Sequence, residues 1–344
     1  MNVRKHGEVV RYKRSNLQPS SDFRGSYAQG LRDGELWLQS RQAESIGFED
    51  ARAAVHRLWS NRYYSETALK RIEWKRLINL GERYGAGFLQ RCADTKPIMP
   101  VPLRNTAAAI VCIRHPSGAL FRALAELDAL PLQEIIVVVY GVQTQPLLTE
   151  FVPPRSSVIY LSDVTDPDIG RALGAKLAVA KILLFVDGNK PVSASVLARF
   201  LWECDRGADI ALNDLSMKKI WFHERGGIQK LQEFLNASLN RPDLKSNSLT
   251  ALPYALSRKA LDTIGAATLC VPAKAHAVAI LSKLRIVTGG TVAGSARTPA
   301  GESVSRLIAG DHAEAWHTAI AIKGSRLTRP DLYRNREVLG DMDR

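Results

Sequence analysis

The strongest constraint in this sequence is a series of short apolar runs, rich in β-branched residues, that alternate with helix-patterned segments. Runs at 107–113, 134–140 (EIIVVVY), 158–161, 182–186 (ILLFV) and 210–213 are too short for core helices. The first two are rich in β-branched residues, as expected for strands buried on both faces, and the other three predict further short strands, ILLFV the strongest of all. Between them, 118–130, 169–180 and 192–205 read as helices, with Leu120, Leu124 and Leu127 on one side of the first. Alternation at this spacing predicts an α/β fold, a mostly parallel sheet flanked by helices. Such sheets bind ligands at the carboxyl ends of their strands. Three strand ends therefore draw attention: Arg114-His115, Tyr140-Gly141 and Asp187-Gly188-Asn189.

The sheet region is expected over 105–295, followed by a C-terminal segment, 296–344. Ahead of it, 1–25 is polar and charged and predicts a disordered basic tail. Residues 26–95 predict a helical accessory region. Ala51, Ala54, Val55, Leu58 and Trp59 form one stripe at helical spacing, and Leu69, Ile72, Leu77 and Leu80 another. Gly30 and Gly34 have the spacing for close helix packing, a weak signal by itself. A loop with three prolines, 93–105, closes the region.

Lys and Arg number 47 against 34 Asp and Glu, a net charge of +13. Such a balance suits phosphorylated small molecules, anionic membrane surfaces or polyanions. Without a helix-turn-helix, zinc-finger or RNP-like motif, nucleic-acid binding is the weakest of these expectations. No window reaches the roughly 18 apolar residues of a membrane-spanning helix. Cys92, Cys112, Cys204 and Cys270 are scattered and read as reduced thiols. The expected compartment is the cytoplasm, either free or at the inner face of the membrane.

One stretch, DIGRALGAKLAVAKILLFVDGNKPVSASVL, resembles the family 2 glycosyltransferases, which are inverting enzymes with a GT-A type fold. It has the family's Gly-containing helix start, Ala-rich helix, apolar strand, acidic turn, proline and following helix. LPYALSRKALDTIG (252–265) is similar to the family segment in which a Ser-Arg pair opens a helix ending at Gly. SLTALPYALSR and GDHAEAWHTAIAIKG also resemble a Gram-positive bacterial subgroup. The resemblance implies transfer of a sugar from a nucleotide-diphosphate donor, UDP-linked in expectation, to a cell-envelope or spore-surface glycan acceptor. It also implies a divalent cation, Mn²⁺ or Mg²⁺, held at the Asp187 turn with Asn189. Arg171, Arg114 and His115 would complete the nucleotide site. Because Asn189 stands where the family has a second acid, metal binding is expected to be weak. A plain strand–turn remains the alternative at Asp187, and glycines packing a helix onto the sheet the alternative at 170 and 174.

The family's catalytic base is a Glu-Asp pair shortly after the Ser-Arg helix, where this chain has Val271-Pro272. An inverting transfer still needs a proton acceptor. The candidates are His276 and the cluster Asp311, His312 and Glu314, read as lying near a helix start. Against these stand a structural histidine and a simple capping box. A catalytically degenerate relative that binds a nucleotide sugar or glycan without turnover is the competing functional reading.

Overall fold

A computed structural model describes residues 21–43, 51–92, 96–141, 152–161, 167–216, 221–292 and 302–329. Of the tail expected over 1–25, residues 1–20 lie outside them, whereas 21–25 already belong to a helix. The N-terminal helices are α1 (Ser21–Ala43), α2 (Ala51–Ser65), α3 (Thr67–Lys70) and α4 (Trp74–Arg91). The sheet region then runs β1 (Ala107–Ile113), α5 (Gly118–Asp128), β2 (Glu134–Tyr140), β3 (Ser156–Leu161), α6 (Pro167–Leu177), β4 (Ile182–Asp187), α7 (Ala194–Asp205) and β5 (Ile210–Asn213). It continues with α8 (Gly227–Ser238), β6 (Tyr254–Ser257), α9 (Arg258–Ile264), α10 (Pro272–Leu281), β7 (Ile286–Gly290) and α11 (Glu302–Lys323).

The seven strands form one sheet in the order β3-β2-β1-β4-β6-β5-β7. All pairings are parallel except those of β6, which runs against both β4 and β5. The expected α/β class, a mostly parallel sheet between helices, is therefore what the chain adopts. β1 is buried at all seven positions, which explains its unbroken apolar run. Its odd positions, such as Ala109 and Val111, face a core with α5 and α7, while Ile110 and Cys112 face the core beneath α6 and α9.

Two strands were not legible in sequence. β6 is only four residues long and sits inside the LPYALSR segment, of which only the helical half was read. That half is right: Ser257 caps α9 by accepting from the Ala260 amide at 3.1 Å, and Gly265 ends it at φ 83°. β7, IVTGG, carries glycines that depress strand propensity. A Cβ on Gly289 would lie 2.6 Å from Phe200 Cδ1, so the ring of α7 excludes any side chain there.

The paired glycines of α1 signal more than their spacing alone licensed. A Cβ on Gly30 would stand 2.0 Å from the Tyr84 carbonyl oxygen, and one on Gly34 2.7 Å from that of Phe88. Gly87 of α4 answers from the other side, 2.3 Å from the Tyr27 oxygen. The two helices thus touch backbone to backbone. Tyr84 Oη donating to Asp33 at 2.8 Å and Ser26 Oγ donating to the Leu80 carbonyl fix their register.

Arg52 joins this helical layer to the sheet. Nearly buried, it donates to the carbonyls of Lys96, Pro97 and Asp128. The proline-rich segment is correspondingly more than a spacer, because Ile98, Met99 and Val101 are buried.

Candidate functional site

Seven strand ends meet along one rim: the carboxyl ends of β1, β2, β3, β4, β5 and β7 and, because it is reversed, the amino end of β6. Asp187 closes β4 beside Cys112 of β1. Its Oδ1 accepts the Asn189 amide at 2.9 Å, forming a side-chain turn at the strand end. Gly188 is closely packed there, since an added Cβ would lie 3.0 Å from Ile113 Cβ. Asn189 is exposed. Arg114 and His115, both exposed, continue β1 past the Asp187 register. Arg114 reaches over the end of β2, with its Nε 3.4 Å from the position of a Gly141 Cβ. A small recess of about 20 Å³ at this rim is lined by Asp187, Lys190, Val192, Leu252, Pro253 and Val292. Lys190, exposed beside this turn, was not singled out in sequence, and its ammonium can meet a phosphate as a point charge.

Arg171 requires correction. Rather than facing phosphates, it is 6% exposed and ion-paired to Asp168 at 2.6 Å. It also hydrogen bonds with Tyr254, whose hydroxyl pKa is raised by burial. Tyr254 in turn stacks on Phe185 at 4.7 Å. Arg171 therefore braces α6 against β6 underneath the rim. Gly170 and Gly174 serve packing: a Cβ on Gly174 would come within 2.6 Å of Ile110 Cγ2. Cys112, in the same buried layer, has its thiol pushed up to about 12, chiefly by burial.

The histidines also require correction. Asp311, His312 and Glu314 do not lie at a helix start: α11 begins at Glu302 and passes through the exposed Gly310 without interruption. His312 is 1% exposed, donates through Nδ1 to the Ile308 carbonyl at 2.7 Å and packs on Trp316. Glu314 pairs on the surface with Lys274 at 2.7 Å. Ala315 and Ala319 of α11 close against Ala273 and Ala277 of α10, and this alanine interface holds α11 in place. His276 is fully buried, with its pKa drawn from 6.5 to about 3 by loss of solvent. Neither imidazole has the solvent contact that a base acting on a bound acceptor needs.

His276 nonetheless begins a buried polar chain that leads back to the rim. Asn236 donates its amide to the carbonyls of Lys245 and Asn247, so its Oδ1 must accept from His276 Nε2 at 2.8 Å. Asn247 in turn receives the Leu215 amide at 2.8 Å and donates to Asp214 Oδ1 at 3.3 Å. The Ser216 amide and hydroxyl bond the same oxygen. Although partial burial opposes it, these bonds hold the Asp214 carboxyl below the usual range. Asp214 follows β5 at the rim, two strand spacings from Asp187, or about 10 Å. Sequence reasoning missed it because Ser216 gives only a local turn, while Asn247 and the polar chain behind it come from distant segments in no recognisable motif. Asn213, fully buried, pins the rim by accepting the Val292 amide at 2.8 Å and donating to the Leu252 carbonyl.

No protein family and no curated protein matches the sequence. Several solved structures are similar to it. Glucosyl-3-phosphoglycerate synthase of Mycobacterium tuberculosis aligns at 15% identity and TM-score 0.43, covering 67% of this chain and 83% of that one. The mannosyltransferase PcManGT of Pyrobaculum calidifontis, solved with GDP-Man and Mn²⁺, aligns at 15% identity and TM-score 0.41, covering 79% and 76%. A 4-diphosphocytidyl-2C-methyl-D-erythritol synthase of Anaerococcus prevotii aligns at 12% and 0.40, covering 60% and 95%. Likeness at this level carries no argument about activity, which rests on the rim itself.

The fit of a divalent cation is set by the donors present. The turn offers one carboxylate, Asp187, and one carboxamide, Asn189. Among the described residues no three His, Cys, Asp or Glu side chains group as ligands. Mg²⁺-like ions are commonly held by one or two carboxylates plus substrate phosphates. The turn fits that limited role.

Proposed function

We propose that the chain is a glycosyltransferase that takes its sugar from a nucleotide diphosphate donor bound at the Asp187 rim. The observation that carries this reading is an acidic side-chain turn at the carboxyl end of a central strand, flanked by the exposed cations Arg114 and Lys190. Diphosphate bound there meets positive charge, and Asp187 with Asn189 would hold a divalent cation together with the phosphates. Such a cation would supply charge neutralisation of the leaving group.

In the inverting form of the reaction, an acceptor hydroxyl attacks the anomeric carbon. Its oxygen forms the new C–O bond, while the bond to the diphosphate breaks and the nucleoside diphosphate leaves with the electron pair. The hydroxyl proton passes to a carboxylate, and Asp214 is the group placed to take it. Its Oδ1 is held by Ser216 and Asn247, leaving Oδ2 for the substrate. A cell-envelope or spore-surface glycan remains our proposed acceptor. Binding without turnover is the second reading, favoured by the single carboxylate at the turn.

Titration with UDP, read as thermal stabilisation, tests the site. A donor nucleotide at 100 times its Kd stabilises by about 2.7 kcal/mol. Asp187→Ala is expected to abolish that gain with the fold intact. Equal binding of nucleotides by parent and variant sinks the assignment.

A further inference from the structure

We propose that a second groove on the same rim binds a neutral pyranose unit of the acceptor, an inference that rests on the transferase reading. The groove measures about 400 Å³ and runs between Trp74, Ser195, Arg199, Asp214 and the Thr288–Thr291 stretch. That volume lies within the ordinary range of small-ligand sites, about 300–1,000 Å³. It is separate from the Asp187 recess, yet Thr291 lines the one and its neighbour Val292, which Asn213 fixes, lines the other.

Its lining combines the two halves of carbohydrate chemistry. Trp74 is half-buried and backed by Trp202 at 4.7 Å, so its indole is held in place. A fixed aromatic face accepts the C–H face of a sugar ring. Around it stand hydroxyl-binding groups: Asp214, the exposed Thr288 and Thr291, and the outer edge of β7, the last strand of the sheet.

Charge selects the class of sugar. Arg199 lies over both indoles, 5.3 Å from Trp74 and 4.9 Å from Trp202, and is compensated by Glu203 at 2.5 Å. Asp214 is likewise offset by the nearby charge of Lys245, so the groove offers no net positive charge to hold a phosphorylated or carboxylated sugar. Trp74 opens α4, so the N-terminal helices furnish part of the acceptor site as well as a scaffold.

The test uses the full chain labelled with ¹⁵N-tryptophan and titrated with methyl glycosides of glucose, galactose, mannose and N-acetylglucosamine, and with glucose 6-phosphate. At least one neutral glycoside is expected to shift the Trp74 indole resonance. Trp74→Ala should weaken its binding about tenfold, the scale of one aromatic contact. Because Trp74 also packs on the core, Thr291→Val, an exposed position, provides a second variant with the same expected direction. The proposal is overturned if no glycoside shifts Trp74 up to its solubility limit, or if glucose 6-phosphate binds tighter than methyl glucoside. Parallel UDP titration separates the two readings. UDP binding without glycoside binding removes the groove and leaves the transferase, whereas glycoside binding without UDP binding does the reverse.

Discussion

At the residue scale, the Asp187 turn contains a natural experiment in ligand charge. A neutral Asn189 leaves one carboxylate for a hard cation, so Asn189→Asp is expected to tighten Mn²⁺ binding in the presence of UDP. Unchanged Mn²⁺ affinity in that titration would remove the turn from consideration as a metal site. Buried imidazoles give a second prediction. His56 and His276 are both lowered from 6.5 to about 3, first by desolvation, and His56 also by the nearby charges of Arg155 and Arg52. The folded chain thus binds fewer protons than the unfolded chain between those values. Its stability is full above 6.5 and falls as pH drops below it, by about 1.4 kcal/mol per pH unit for each histidine. His56→Leu should flatten that slope in urea unfolding measured between about pH 7 and 5. An unchanged slope would mean that His56 keeps its solution pKa. The acidic turn was legible because strand, acid and glycine are adjacent in sequence. Asp214 was not, because only folding brings Asn247 to it and Asn236 behind Asn247.

At the element scale, the same contrast decides which strands announce themselves. β1, β2 and β4 are buried on both faces and therefore read as continuous apolar runs. β6 and β7 owe their place to partners: β6 to its antiparallel neighbours, and β7 to the ring of Phe200 filling the space above its glycines. The C-terminal helix misled for a related reason. Gly310-Asp311 looks like a beginning, but the alanine interface with α10 carries α11 straight through it. Backbone contact between α1 and α4 yields a prediction at this scale. Gly87→Ala places a methyl 2.3 Å from the Tyr27 carbonyl, so the helices must part. The expected loss is about 1–3 kcal/mol in chemical denaturation, and a neutral effect would show that α1 yields without cost.

At the scale of the whole molecule, every strand but β6 runs toward the rim where Asp187 and Asp214 sit. The opposite edge is built for closure. Glu134 accepts the amides of Val179 and Ala180, and Arg258 donates to the carbonyls of Ala178 and Ala180. Val179 itself is 71% exposed on that edge. β4 starts there and ends at Asp187, so the two faces stand about 20 Å apart, the rise of six extended residues. That separation has a practical use. With the partly exposed Cys92 and Cys270 replaced by serine, a cysteine introduced at Val179 would tether the protein to a sensor surface with its rim turned toward solution, and would carry a fluorophore beyond contact with anything bound there.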